Sequence, residues 1–349
     1  MTTLTQAAIT TRKIVRYGIF LVIFLIVGRV LLSAGIKLYL KFFPPAPAPP
    51  TVTYGKLPIL PFPQKNKVNF SLSLETAEGG LPKLPTTVKV YYMPKRSANL
   101  LSLDEARQKA SGLGFSPQEQ DISPTTYRFS NKSVPSTLVI NIVTGVFSVS
   151  YDLKADPSPL KVKPPSPEVA VANIKSYLSS AGLLPADLTG PTSHEYLKVS
   201  GDKLIPALSL SDANLTKIHL FRKSYEDFPS LTADPTKANV WFLVGRNTID
   251  RNKGVIAAEF HYFPVDETQF STYPIKTAQI AWDELIAGNA YLANQGQNKE
   301  NGQIKIRKVY LAYFDAGEAT DFYQPIIVFE GDKNFTAYVP AVTGDYYGQ

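Results

Sequence analysis

Residues 136–153 read STLVINIVTGVFSVSYDL and hold the pattern that decides the fold. Apolar and polar residues alternate on both sides of Thr144 and Gly145, which is typical of two half-buried strands joined by a tight turn. Glycine adopts the left-handed backbone that such turns need, so Gly145 marks the reversal. The stretch therefore predicts an antiparallel hairpin in which alternate residues from Phe147 onward share one face.

A short helix is predicted before this hairpin, and the same order of elements recurs twice. The first helix is predicted to begin at Ser102, because Ser102 and Glu105 have the spacing of a capping box. The second begins at Ser166, an N-cap followed by proline, and ends at Gly182. The third lies at 276–288. Further strands are expected at 68–75, 88–92, 125–128, 217–223, 239–245, 254–263, 304–314, 323–331 and 335–344. The pattern predicts an α+β fold built from tandem helix-plus-antiparallel-sheet repeats.

Proline clusters set the predicted domain boundaries. Eight prolines lie between residues 44 and 63, and such a stretch favours extended polyproline II. We predict a stalk there that reaches up to about 60 Å at about 3.1 Å per residue, an SH3-type ligand being the alternative. The predicted domains are a tail and membrane helix (1–43), a stalk (44–64), a first domain (65–156), a linker (157–167), a second domain (168–265) and a third domain (266–349).

Residues 14–40 read IVRYGIFLVIFLIVGRVLLSAGIKLYL, which is long and apolar enough to cross the lipid bilayer as a helix. Arg29 interrupts this run. Its side chain either snorkels to the membrane interface or pairs with an acidic group on a partner's helix, which makes Arg29 a possible partner contact. A cleaved signal peptide is the alternative to a retained anchor. The nearby Ala46 and Ala48 cleavage pattern lies far past the apolar run and precedes Pro49, which favours the anchor.

The net charge of +7 belongs to the N-terminal region. Nine of the 36 basic residues precede Glu75, the first acidic residue, which leaves 27 basic residues against all 29 acidic ones. A nucleic-acid-binding domain needs clustered positive charge on the domain itself, so we expect no nucleic-acid partner. The basic residues that flank the helix predict an N-terminus inside and a C-terminal domain outside the cell membrane, although both flanks carry them.

The sequence shows no pattern typical of catalysis. There is no cysteine, which excludes disulfides, thiol catalysis and thiolate metal sites. His194, His219 and His261 lie far apart without the spacing of a zinc site. Two S-x-x-K strings contain Pro159 or Gly201, where the helical turn of a Ser–Lys pair is not expected. Adjacent acidic pairs are explained by helix capping and solvation. We predict a non-enzyme with no cofactor and no metal, an unrecognised hydrolase being the remote alternative.

Aromatic residues are frequent in the predicted strands. Core packing or cross-strand pairing accounts for most of them, and a surface for partner recognition or glycan stacking is the alternative. They are Tyr91, Tyr92, Tyr127, Phe129, Tyr151, Tyr310, Tyr313, Tyr323, Phe329 and Tyr338.

Two regions resemble known extracytoplasmic families. A helix with spaced alanines, an aromatic strand and an apolar strand ending in Thr-Gly resemble a PepSY module, at roughly 100–155. Residues 270–347 resemble the C-terminal part of the YycH and YycI families, accessory proteins of a sensor kinase, through VYLAYF, YQPIIVFEG and FTAYVPAVTG. The long proline stretch departs from that family pattern. The resemblance implies a bacterial, membrane-anchored regulatory module without catalytic residues.

These observations predict a single-pass membrane protein with a non-catalytic extracytoplasmic interaction domain. The expected partners are the bilayer, through residues 14–40, and another membrane or envelope protein such as a sensor kinase or a protease. A cell-wall or small-ligand binding module is the alternative function.

Overall fold

A computed structural model describes residues 4–42, 49–64, 70–201, 203–245, 254–299 and 302–348. The chain divides into two compact units, Met1–Pro49 and Pro50–Gln349.

The first unit contains one long helix, α1, which spans Leu4–Phe42. It includes the predicted run 14–40 and extends beyond it at both ends. Thr11–Tyr39, 29 residues of α1, are the one stretch within the described residues that is long and apolar enough to cross a membrane. The apolar side chains of this stretch are exposed within the unit, as expected of a helix whose solvent is lipid.

The second unit is α+β, with many strands and few helices. Within the residues that the structure describes, its α-helices of a turn or more are α2 (Ser102–Gly112), α3 (Pro167–Ser180) and α4 (Ala278–Ile286). Its strands are β1 (Ser71–Leu74), β2 (Thr87–Tyr92), β3 (Glu119–Ser123), β4 (Thr126–Ser130), β5 (Ser136–Asn141), β6 (Phe147–Tyr151), β7 (Thr192–Ser200), β8 (Lys203–Pro206), β9 (Leu215–Leu220), β10 (Ser230–Leu231), β11 (Val240–Val244), β12 (Val255–Phe260), β13 (Asp266–Pro274), β14 (Tyr291–Asn294), β15 (Gln303–Phe314), β16 (Phe322–Tyr323), β17 (Pro325–Gly331) and β18 (Phe335–Pro340).

Nine strands form an antiparallel sheet in the order β3-β4-β5-β6-β12-β11-β9-β7-β8. The predicted hairpin is its β5–β6 pair, in which Leu138 lies opposite Val149 and Gly145 has a φ of +75°. Helices α2 and α3 cover one face of this sheet. Their Ala110 and Leu178 are buried against strand residues of that face in one hydrophobic core. The alternation read from the sequence is therefore the packing of one sheet face under two helices.

Six strands form a second sheet in the order β1-β15-β17-β18-β14, with β10 also paired to β15. A third, three-stranded sheet has the order β13-β2-β16. Ala281 and Leu285 of α4 and Tyr91 of β2 pack with one face of the six-stranded sheet. This sheet is buried on both faces, which explains why β15 and β17 read as nearly continuous apolar runs.

The proline-rich region does not form the stalk that the sequence predicts for all of 44–64. Leu57 is fully buried, and Leu60 and Phe62 pack on the second face of the six-stranded sheet. The Phe62 and Tyr291 rings stack with centroids 4.7 Å apart. Because the apolar residues between the prolines have a sheet face to cover, residues 50–63 belong to the folded unit. Residues 43–48 lie outside the described residues.

The tandem-repeat arrangement predicted from the sequence is not confirmed. β6 of the first predicted domain pairs with β12 of the second, with Val149 opposite Ala258. β1 pairs with β15 of the third, with Leu72 opposite Ile304. Strand pairing thus crosses the predicted domain boundaries, because the buried sheet edges are completed by segments distant in sequence. The boundaries themselves stay a prediction.

The three short helices begin differently from one another. The capping box expected at Ser102 is not formed; Leu101 is the N-cap residue, and the Ser102 hydroxyl instead accepts a hydrogen bond from the Asn99 amide. The Asn99 side chain accepts a hydrogen bond from the Leu101 amide and so forms a turn just before the helix. α3 begins as predicted, with Ser166 as N-cap. α4 is capped by Thr277, whose hydroxyl accepts from the Ile280 amide.

Candidate functional site

A cleft of about 440 Å³ lies beside the helical face of the nine-stranded sheet. Three segments form it: the loop from β2 into α2 with the first turns of that helix, the β5–β6 turn, and the chain that leaves α3. Phe260 at the end of β12 and Tyr262 just after it complete the lining. The lining residues are Arg96, Ser97, Asn99, Ser102, Glu105, Ala106, Lys109, Ile140, Asn141, Ile142, Val143, Gly145, Gly182, Leu183, Leu184, Pro185, Phe260 and Tyr262.

Two cations and one carboxylate line this cleft. The Arg96 guanidinium lies directly against Gly145, so close that a Cβ at position 145 would collide with its Nη1 atom. Lys109 and Glu105, one turn apart on α2, form a loose ion pair with Nζ and Oε2 3.8 Å apart. The lining therefore carries one positive charge in excess.

Tyr262 connects the cleft to a buried ionic cluster. Its hydroxyl donates to Asp187 Oδ1 at 2.7 Å, and its ring lies 4.3 Å from the guanidinium carbon of Arg222. Burial, which is the main cause, raises the pKa of the Tyr262 phenol, so this hydroxyl stays a donor at neutral pH. The position of Tyr262 in the cleft wall is thus fixed by the hydrogen bond from its neutral phenol to the buried carboxylate of Asp187.

Arg222 is the centre of that ionic cluster. Its Nη1 donates to Asp187 Oδ2 at 2.7 Å, its Nε donates to Asp315 Oδ2 at 3.0 Å, and its Nη2 donates to the Phe263 carbonyl. Tyr225 adds a further donor to Asp187. Burial alone would lower the pKa of Arg222, but Asp315, Tyr323 and Asp187 hold it well above its usual value. A buried cation that is bonded to two carboxylates joins the parts of the fold that carry them.

Two leucines beside the cleft have no cover. Leu100 is fully exposed and Leu101 is 63% exposed, and both lie between the lining residues Asn99 and Ser102. Exposed adjacent leucines next to a cleft are a feature of interaction surfaces. This pair is therefore part of the candidate site.

The three histidines do not converge. His219 is buried, accepts from the Ala238 amide at Nδ1 and donates from Nε2 to Glu195, 3.0 Å away. His261 Nε2 lies 3.1 Å from Glu259. His194 is exposed, and none of the three lines the cleft. Among the described residues, no group of three or more His, Asp or Glu side chains could hold a metal ion. The absence of a cofactor and of catalysis stays a prediction.

Most of the strand aromatics named from the sequence lie in the cores. Tyr91, Phe129, Tyr151, Tyr313, Tyr323, Phe329 and Tyr338 are buried. They form ring contacts such as the stacked pair Tyr313 and Tyr323, with centroids 5.2 Å apart. None of these aromatics lines the cleft.

Arg29, the site residue predicted from the sequence, lies in α1 with an exposed side chain. Its contact with a partner helix stays a prediction. Sequence reasoning missed the cleft residues of the second unit. The one local signal for them is the adjacent pair Leu100 and Leu101 before a helix, since contiguous exposed apolar residues mark interaction sites.

No family model matches the chain, and no curated protein matches it. Among solved structures the chain is similar to an uncharacterized protein from Eubacterium rectale, with a TM-score of 0.39 and 13% identity over 74% of this chain and 85% of that one. A similarity of this size carries no functional argument. The resemblance to the PepSY, YycH and YycI families accordingly stays a prediction.

Proposed function

We propose that this chain is a single-pass membrane protein that recognises another envelope protein through the cleft of its ectodomain, without catalysis. The observation that carries the proposal is the exposed pair Leu100 and Leu101 at a cleft of about 440 Å³. Burying two leucine side chains contributes about 1.5 to 3 kcal/mol each, so a partner that covers them gains affinity from contacts the isolated unit leaves unmade. Modulation of a sensor kinase or a protease is the role we propose for this contact.

The proposed topology places the N-terminus inside and residues 50–349 outside the cell membrane. Support comes from the 29-residue apolar stretch of α1 and from Arg12, Lys13 and Arg16 at its N-terminal end. Because the chain has no cysteine, single introduced thiols report their own side of the membrane. We expect an impermeant thiol reagent to label a Ser211→Cys variant in intact cells and to label Thr5→Cys only after lysis. The reverse labelling would refute the orientation.

Co-purification from native membranes tests the recognition function. The full chain carries an affinity tag, and we compare the native protein with the double variant Leu100→Ser, Leu101→Ser. We expect at least one protein to co-purify with the native chain and to be lost from the double variant. Leu208→Ser is the matched control, because Leu208 is as exposed as Leu100 but has no cleft-lining residue next to it in the chain. An identical set of co-purifying proteins in all three samples would sink the proposal.

The contact through α1 is tested separately with Arg29→Leu. If Arg29 pairs with an acidic group on a partner's helix, this variant loses the partner while its own membrane insertion is unchanged. A snorkelling Arg29 predicts no loss.

A cell-wall or small-ligand binding function is the second candidate, and the volume of the cleft favours it. Small-molecule sites typically measure about 300 to 1,000 Å³, and this cleft falls within that range. Binding of the full chain to purified wall material, abolished by a Leu184→Arg change in the cleft wall, is the result this candidate requires. Failure of the native chain to bind would discard it.

A further inference from the structure

We propose that the cleft binds an acidic, apolar peptide segment of a partner protein, and that Arg96 receives the carboxylate. The inference rests on the proposed recognition function and specifies the chemistry of the partner at that same cleft.

Arg96 is an exposed cation that the fold positions but does not neutralise. Within the described residues it forms no ion pair with a carboxylate, and its guanidinium lies against the backbone of Gly145. Gly145 has a φ of +75°, and the Arg96 guanidinium lies where a Cβ at position 145 would collide with it. The guanidinium thus lies beside the β5–β6 turn at the cleft, where its N–H donors can reach a bound anion.

The other charged residues of the lining do not neutralise Arg96. Lys109 has Glu105 as a partner within its own helix, although their 3.8 Å separation is long for a strong ion pair. Arg96 is therefore the cation in excess, and a carboxylate is the side-chain group that pairs with a guanidinium through two parallel hydrogen bonds.

The remainder of the lining is suited to apolar side chains. Ile140 and Phe260 are buried members of the helical-face core that reach the cleft floor, and Leu184 and Pro185 stand at its wall. Such a floor accepts an aliphatic side chain next to the carboxylate.

The exposed leucines beside the cleft favour a peptide over a small carboxylic acid as the occupant. A small acid fits a cleft of about 440 Å³ but leaves Leu100 and Leu101 uncovered beside it. An extended segment that places its carboxylate at Arg96 continues over these leucines and covers both features at once. The occupant we infer is a segment in which acidic and apolar residues are interspersed.

Defined peptides and the full chain in lipid nanodiscs provide the test, with binding followed by fluorescence anisotropy. The first probe is a short labelled peptide that alternates glutamate and leucine. The second alternates glutamine and leucine, and the third glutamate and serine. We expect the glutamate–leucine peptide to bind about tenfold more tightly than either of the others, because each of them lacks one of the two recognised features.

Variants assign the preference to the residues named. Arg96→Gln is expected to abolish the difference between the glutamate–leucine and glutamine–leucine peptides. Leu100→Ser with Leu101→Ser is expected to weaken the binding of both. Arg128→Gln is the matched control, since Arg128 alternates with the core residue Phe129 and lies on the opposite sheet face, and it should keep the full preference.

Three results would overturn the inference: no saturable binding of the glutamate–leucine peptide to the native chain, equal binding of the glutamine–leucine peptide, or an undiminished preference in Arg96→Gln. A co-purifying partner that depends on Leu100 and Leu101 while the acidic peptide fails to bind would leave the proposed function standing and remove the role of Arg96.

Discussion

Arg222 shows how one residue connects separate parts of the ectodomain. It follows β9 of the nine-stranded sheet, Asp187 lies between α3 and β7, and Asp315 follows β15 of the six-stranded sheet. All three side chains are buried or nearly so, and the cation is bonded to both carboxylates. Removal of one partner from such a group leaves the others as uncompensated charges in a region of low dielectric. The resulting loss in the free energy of unfolding exceeds what the ion pair itself contributes.

We predict that Arg222→Met lowers the free energy of unfolding by about 3 to 5 kcal/mol, because Asp187 and Asp315 lose their cation. Urea unfolding followed by tryptophan fluorescence measures this loss. Arg307→Met is the matched control: Arg307 also pairs with two carboxylates, Glu75 and Asp332, but all three are exposed. We expect that control to change little, and an equal loss in both variants would contradict the account of the buried cluster.

His219 makes the stability of the ectodomain sensitive to mild acid. Burial, which is the main cause, lowers the pKa of this imidazole below its usual value. The unfolded chain then binds the proton more readily, so stability is full above the ordinary histidine pKa of about 6.5 and falls as the pH drops toward the lower folded-state pKa. We predict that His219→Asn flattens the dependence of the unfolding free energy on pH between about 6.5 and 5.

Urea unfolding at a series of pH values measures this effect. His194→Asn serves as the control, since His194 is exposed on the neighbouring strand β7. A slope that His219→Asn leaves unchanged would contradict the assignment.

Among the secondary-structure elements, those with a clear local sequence pattern were predicted correctly. The alternation at 136–153 predicts β5 and β6, and the N-cap Ser166 with its following proline predicts the start of α3. Six strands, β3, β7, β8, β10, β13 and β14, were not predicted. No residue of β3, β7 or β8 is fully buried, β13 has only two buried residues, and β10 and β14 are very short, so period-two patterning gives little signal in them.

The proline-rich element shows where composition misleads. Proline content favours extended chain, but it does not distinguish a free stalk from an extended segment laid on a sheet. The distinguishing signal is the apolar residues between the prolines. Leu60 and Phe62 pack on the second face of the six-stranded sheet, and Leu57 is buried against Val90 and Tyr273 of the three-stranded sheet.

We predict that Phe62→Ala lowers the free energy of unfolding by about 2 to 3 kcal/mol, because its ring stacks on Tyr291 and meets Phe314 edge-on with centroids 4.7 Å apart. Thermal unfolding of the full chain reports the change. Ile59→Ala, in the same segment but 62% exposed, is expected to unfold like the native chain. A free stalk would make the two variants indistinguishable.

At the scale of the whole molecule, the chain passes repeatedly between sheets. It contributes β1 to the six-stranded sheet, builds most of the nine-stranded sheet, returns through β10 and later completes the six-stranded sheet with β14, β15, β17 and β18. The pairing of Leu72 with Ile304 has no local signal, since nothing near either residue specifies the other. The cleft was not predictable for the same reason: Arg96, Gly145 and Leu184 meet only after the sheet and its two helices have assembled.

We predict that residues 266–349, expected from the sequence to be a domain, do not fold when expressed alone. β15 would lose its neighbours β1 and β10, and β13 would lose β2. Amide chemical-shift dispersion in a heteronuclear NMR spectrum reports the outcome, with residues 50–349 as the folded comparison. A well-dispersed spectrum from 266–349 would show that this third predicted domain folds without the rest of the chain.

We propose that a partner docks at the cleft beside Leu100, and site-specific photo-crosslinking in living cells tests this proposal. A photoreactive amino acid replaces Leu100 in one variant and Leu208 in another, since both positions are almost completely exposed and only Leu100 adjoins the cleft. We expect a discrete crosslinked product from position 100 that disappears when Arg96→Gln is added, and none from position 208. No product from position 100, or the same products from both positions, would contradict it.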